Sequence, residues 1–112
     1  MKSILFVEDE EIFYALFKII GDKFRFEPTI VSNIKDAKEM IEHKNFYMAI
    51  IDYQLPDGNG VELNDFIKKN YPSIITVFAS GFGVSFPHSS NFDYSIDKSD
   101  LLNFFRGFLD NR

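Results

Sequence analysis

Short apolar runs alternate along this chain with stretches in which apolar positions recur every three or four residues. Ile4–Val7 is a short continuous apolar run, the pattern of a strand buried on both faces. Thr29–Val31 is a β-branched run, Phe46–Ile51 an apolar one and Ile74–Ala79 again rich in β-branched side chains, and each of these is read as a strand. Between them, Phe13, Leu16, Phe17 and Ile20 follow the i, i+3, i+4, i+7 spacing of an amphipathic helix, with acids at its start and Gly21 as a stop. Asn33 is placed to cap a second helix with Ala37, Met40 and Ile41 inward. Leu63, Phe66 and Ile67 mark a third, closed by Asn70-Tyr71-Pro72. Pro28 sets the start of the second strand or an edge. From Gly81 to Phe92 the periodicity is lost, and Gly81, Gly83, Pro87 and Ser85, Ser89 and Ser90 oppose a helix there. Tyr94-Ser95-Ile96 reads as a short fifth strand. Ser99 is then read as the cap of a last helix, with Leu102, Phe105 and Leu109 inward and Leu101 and Phe108 alongside.

Strand and helix in alternation imply an α/β domain, a doubly wound parallel sheet covered on both faces. Ligands of such sheets lie beyond the carboxyl ends of the strands. Glu8, Asp9, Asp52, Ser80 and Lys98 all fall at such ends, so the topology brings them into one crevice. At 112 residues the chain is read as one domain, 1–112, large enough for a real core, and its 14 Phe with no Trp predict a Phe-built interior.

The net charge of -5 argues against nucleic acid or an anionic membrane as a nonspecific partner. The absence of cysteine excludes disulfides, thiolate metal sites and Cys nucleophiles. No apolar run approaches the length of a membrane span, and the first is too short for a signal peptide, so a cytoplasmic protein is expected.

Three carboxylates in one crevice repel: a unit pair about 4 Å apart costs roughly 4 kcal/mol at an effective dielectric near 20. Such a cluster calls for a cation, a neutralised acid, or both. The candidate ligands are hard oxygens with no well-placed His; His43 and His88 are read as surface residues. That donor set favours Mg²⁺ over Zn²⁺. Asp52 can then serve as a nucleophile toward phosphorus, with the Ser80 hydroxyl and the Lys98 ammonium on the oxyanion. Each piece has a plain alternative: a solvated helix start at Glu8–Glu11, turn chemistry at Asp52 and Ser80, a surface charge at Lys98.

Ile4-Leu5-Phe6-Val7-Glu8-Asp9-Glu10 resembles the first strand and acidic pair of the receiver domain of two-component response regulators, the CheY-like superfamily. Ile51-Asp52-Tyr53-Gln54-Leu55-Pro56-Asp57-Gly58-Asn59-Gly60 is similar to that family's phosphoacceptor segment. Phe78-Ala79-Ser80-Gly81 and Asp97-Lys98 fall where it has its Ser/Thr and Lys. The resemblance covers the whole chain and implies five parallel strands in a flavodoxin-like order. It implies that Asp52 accepts a phosphoryl group from a sensor histidine kinase or phosphotransfer protein. Glu8, Asp9, Asp52 and the backbone carbonyl of Gln54 would hold Mg²⁺, Ser80 and Lys98 would bind the phosphoryl oxygens, and a downstream protein would read the change.

The chain also departs from that pattern. Glu8 replaces the commoner Asp, Ser99 follows the Lys in place of Pro, and 98 − 80 = 18 positions separate Ser80 from Lys98. This is about one helical turn short, so the fourth helix of the family is expected to be shortened or irregular. Ser95 stands at the family's switch-aromatic position, which leaves Tyr94, one residue earlier and on the other face of the strand, and Phe82 as aromatic candidates. Phe78-Ala79-Ser80-Gly81-Phe82-Gly83 is similar to the motif of a single-domain subgroup nicknamed FAT GUY.

Three functions follow: a phosphorylatable receiver acting by protein contacts, a pseudo-receiver that keeps the fold without switching, and an aspartate-dependent phosphatase. The third fits poorly, because its nucleophile belongs on the first strand. Acting by contact makes the chain a signalling module rather than an enzyme. Phe86, Phe92 and the last helix are the expected docking surface.

Overall fold

The structure, a computed structural model, describes residues 1–81 and 91–109. Five parallel strands form the sheet: β1 (Lys2–Val7), β2 (Phe26–Val31), β3 (Met48–Asp52), β4 (Ile75–Ser80) and β5 (Tyr94–Asp97). Their spatial order is β2-β1-β3-β4-β5, the doubly wound arrangement expected. Helices α1 (Tyr14–Phe24) and α4 (Leu101–Leu109) pack on one face, α2 (Ile34–His43) and α3 (Gly60–Asn70) on the other.

The continuous apolar runs of β1, β3 and β4 are explained by burial on both sides, whereas β2, at the sheet edge, is mostly half-buried. Along β1, Ile4 and Phe6 join the core under α1 and α4, whereas Leu5 and Val7 join the core under α2 and α3. The first core is a Phe stack: Phe6 lies 4.1 Å from Phe17 and 6.3 Å from Phe105, and Phe26 lies 5.0 Å from Phe105. The second core holds Ile34, Ala37, Ile41, Leu63, Ile67 and Phe78.

Several boundaries differ from the sequence reading. Gly21 does not stop α1. The helix runs through it to Phe24 and closes on Arg25, whose left-handed backbone (φ 60°, ψ 54°) lets its N–H reach the Gly21 carbonyl. Gly21 is there for close approach, since a Cβ would lie 3.1 Å from both the Phe26 carbonyl oxygen and Pro28 Cδ. β2 begins at Phe26, three residues earlier than its β-branched run, and it accommodates Pro28 because it is an edge strand.

The last helix is entered through a 3₁₀ turn, Lys98–Asp100, capped by Asp97 rather than Ser99: Asp97 Oδ1 accepts the Ser99 N–H at 2.9 Å. That turn rephases the helix. Leu101 and Phe105 face inward, while Leu102 is exposed. Phe92, expected as a surface anchor, is buried with its ring 5.2 Å from Phe78. It fills the core beside β4 instead. Phe82, Phe86, His88 and the expected irregularity of the fourth helix lie outside the described residues.

The entry to β5 is pinned to the start of β4. The Asp93 N–H donates to the Thr76 carbonyl at 3.0 Å, and Asp93 Oδ2 accepts the Thr76 N–H at 2.9 Å and the Lys68 ammonium at 2.5 Å. Among the described residues no helix is long and apolar enough to cross a membrane.

Candidate functional site

The strand ends converge as the topology requires. Val7 pairs with Ile51, Asp52 with Ala79 and Ser80 with Asp97, so Glu8, Asp52, Ser80 and Lys98 meet above the carboxyl edge of neighbouring strands. Lys98 is buried and bridges two acids: its Nζ lies 2.7 Å from Glu8 Oε1 and 3.3 Å from Asp52 Oδ2. Glu8 is 2% exposed, and its other oxygen accepts the Glu10 N–H at 3.2 Å. Asp52 Oδ1 accepts the Tyr53 N–H at 2.8 Å. Ser80 is buried beside them at the end of β4.

These positions set the electrostatics. Burial pushes the Glu8 carboxyl up to about 7; the Asp52 charge adds to the rise and the Lys98 hydrogen bond opposes it. For Lys98, burial pulls the ammonium down, but the Glu8 hydrogen bond and the Asp52 charge outweigh it, and the net shift is upward. Lys98 therefore remains the cation of the trio, and Glu8 is the acid that exchanges a proton near neutrality.

Asp9 is exposed and stands apart from this contact. It lines an open cleft of about 550 Å³ with Tyr53, Gln54, Leu55, Pro56, Gly58 and Asn59. The Glu8, Asp9 and Glu10 carboxylates offer oxygens within 4.8 Å of one another, an arrangement of hard ligands compatible with Mg²⁺. Gln54 is exposed in a two-residue hairpin with Asn59. Tyr94 sits three residues before the end of β5 with its ring against Phe104 and Phe108 of α4, at 5.7 and 5.3 Å.

Three contributors escaped the sequence reading. The Phe13 ring lies 4.5 Å from Lys98 Nζ, a cation–π contact from a residue counted as ordinary helix core. Tyr14 donates its hydroxyl to the Glu8 carbonyl at 2.8 Å. Glu10 joins the acidic group, although it read as part of a solvated helix start.

Gly60 fixes the end of β3 against α3. Its N–H donates to the Tyr53 carbonyl at 2.7 Å, and a Cβ there would overlap the Asp52 carbonyl oxygen and sit 2.9 Å from Ile51 Cγ2. Gly60→Ala is therefore expected to cost about 1–3 kcal/mol by overpacking and to displace the end of β3. Urea unfolding with the amide spectrum of Asp52 and Tyr53 checks this; an unshifted Asp52 amide would contradict it.

The sequence matches the response regulator receiver domain family over residues 4–97. The chain belongs to that family, the CheY-like signalling modules of two-component systems. Among curated relatives, the response regulator PilR of Pseudomonas aeruginosa is 27% identical over 82 residues, 73% of this chain and 18% of PilR. The photosynthetic apparatus regulatory protein RegA of Rhodobacter capsulatus is 27% identical over 73% of this chain and 45% of its own length. The chain thus spans less than half the length of either. A CheY-like receiver domain from Methanospirillum hungatei superposes with a TM-score of 0.84 at 28% identity, over 99% of this chain and 95% of that one. TrrA of Thermotoga maritima, solved in complex with Mg²⁺ and BeF, has the same fold: its TM-score is 0.85 at 22% identity, over 99% and 98% of the two chains.

Proposed function

We propose that this protein is a cytoplasmic receiver in which Asp52 accepts a phosphoryl group from the phosphohistidine of a sensor histidine kinase or phosphotransfer protein and passes the signal to a downstream protein. The contact of one buried ammonium with both Glu8 and Asp52 carries this reading. It keeps a cation beside the nucleophile where charge accumulates during transfer. An Asp52 carboxylate oxygen forms the new bond to phosphorus, the phosphorus–nitrogen bond to the donor imidazole breaks, and that nitrogen takes a proton as it leaves. Ser80 and Lys98 hold the phosphoryl oxygens.

Glu8, Asp9, Asp52 and the Gln54 carbonyl would hold Mg²⁺, whose role is to neutralise the phosphoryl oxygens. Glu8 must lose its proton to serve as a ligand, so affinity for the ion falls as pH drops through about 7. The departure at Ser95 leaves the reporting step to contacts other than the usual aromatic. Tyr94, packed on α4, and Phe82 are the aromatics nearest to that role.

The test is phosphorylation of the intact chain by acetyl phosphate with Mg²⁺, read by mass. One phosphoryl group is expected on the wild type and none on Asp52→Asn. Labelling that survives Asp52→Asn would refute the assignment. A chain that binds no Mg²⁺ at millimolar levels would instead be the pseudo-receiver.

A further inference from the structure

The loop after Asp52 closes two helices at once. Asn59 caps its own helix, accepting the Glu62 N–H at 3.1 Å. Asp57 reaches across to the other: Oδ1 accepts the Ile34 N–H at 2.8 Å and Oδ2 the Lys35 N–H at 3.0 Å. The cap of α2 itself, Asn33, accepts the Asp36 N–H on its side chain at 2.8 Å and the Ala37 N–H on its carbonyl at 3.1 Å. Asp57 thus supplies two acceptors to the positive end of α2 from a distant part of the chain.

Gly58 follows at φ 154°, a conformation that side chains avoid, and a Cβ there would lie 2.7 Å from Ile34 Cδ1 and 2.5 Å from Glu62 Oε2. The loop therefore sits flush against both helices. Its other arm is Gln54-Leu55, paired with Asn59 and Gly58. Asp57 and Gln54 accordingly belong to one short hairpin.

We infer that Asp57 is a positioning residue: it clamps this hairpin to α2, holds the Gln54 carbonyl toward the metal site, and makes the N-terminus of α2 sense whether that site is loaded. The inference rests on the Mg²⁺ assignment under Proposed function. A cap that served α2 alone would lower stability without touching the site. A clamp changes metal affinity while leaving the transfer step intact.

The experiment uses the full chain, with Asp57→Ala and Asp57→Asn checked for folding by circular dichroism, and Mg²⁺ alone as the probe. Asp57→Ala is expected to weaken Mg²⁺ binding about tenfold, the range seen when outer-shell partners are lost. Its phosphorylation by acetyl phosphate at saturating Mg²⁺ should match the wild type. Asp57→Asn keeps one acceptor and should recover part of the affinity. In the wild type, Mg²⁺ should shift the Ile34 and Lys35 amide resonances, and in Asp57→Ala it should not. Unchanged Mg²⁺ affinity in Asp57→Ala would overturn the clamp and leave only a helix cap. Should the wild type bind no Mg²⁺, the functional reading falls, and the metal-free spectra decide the clamp. Asp57→Ala must then move the Tyr53, Gln54 and Leu55 amides; unmoved amides overturn it.

Discussion

Lys98→Met is expected to lower the stability of the metal-free protein at pH 8 by about 3–5 kcal/mol, the usual cost of stranding a buried partner charge. The substitution preserves most of the side-chain volume but leaves Glu8, 2% exposed, and Asp52 facing each other without their shared cation. The loss should depend on pH, and its sign follows from Glu8. An acid whose pKa is raised in the folded state, here from 4.5 to about 7, takes up a proton more readily than in the unfolded chain. Its stabilising contribution is present below the unfolded value and disappears as pH rises through the folded one. Removing Lys98 removes an influence that lowers the Glu8 pKa, so the variant should lose stability over this window more steeply than the wild type. At pH 5 the deficit should shrink, because Glu8 is neutral there. Millimolar Mg²⁺ at pH 8 should also reduce it by replacing the missing charge. Urea melts at pH 5 and pH 8, with and without Mg²⁺, measure all of this. A deficit equal at both pH values and indifferent to Mg²⁺ would show that Lys98 serves packing alone.

Phe6→Ala is the second large effect, at about 3–5 kcal/mol. Phe6 is fully buried in β1, two residues before Glu8, with Phe17 stacked on it and Phe26 and Phe105 within about 6 Å, as expected of aromatic pairs. Truncation removes the ring that joins α1, α4 and the sheet. A domain with about 5–15 kcal/mol in total would lose a large part of its stability. Phe6→Leu, which nearly fills the space, should cost well under half as much. Equal losses for the two variants in chemical denaturation would mean that the ring stack contributes little beyond its volume.

How much of this was legible beforehand depended on which residues speak through their neighbours in sequence. β1, β3 and β4 announced themselves because each is buried on both faces, and an uninterrupted apolar run has few other homes; the half-buried edge strand β2 was signalled by its β-branched run instead. Glu8, Asp52, Ser80 and Lys98 could be brought together because topology alone places strand ends side by side. Asp57 could not be read, because its two acceptor bonds go to Ile34 and Lys35, and a carboxylate next to Gly58 looks like local turn chemistry. Phe13 was hidden by a helix stripe that accounts for it equally well as core. Leu102 and Phe92 went astray for a shared reason. The 3₁₀ turn at Lys98–Asp100 and the Asp93 anchor set the phase of their segments, and neither leaves a periodic trace.

That anchor bears on how freely the chain can be edited. With Asp93 bonded to both backbone groups of Thr76 and to Lys68, the pairing of β5 with β4 is set after residues 82–90 have been passed. Lys98 is therefore indexed from Thr76, not counted out from Ser80. Grafts or length changes between Gly81 and Asn91 are expected to leave the Lys98 ammonium beside Glu8 and Asp52.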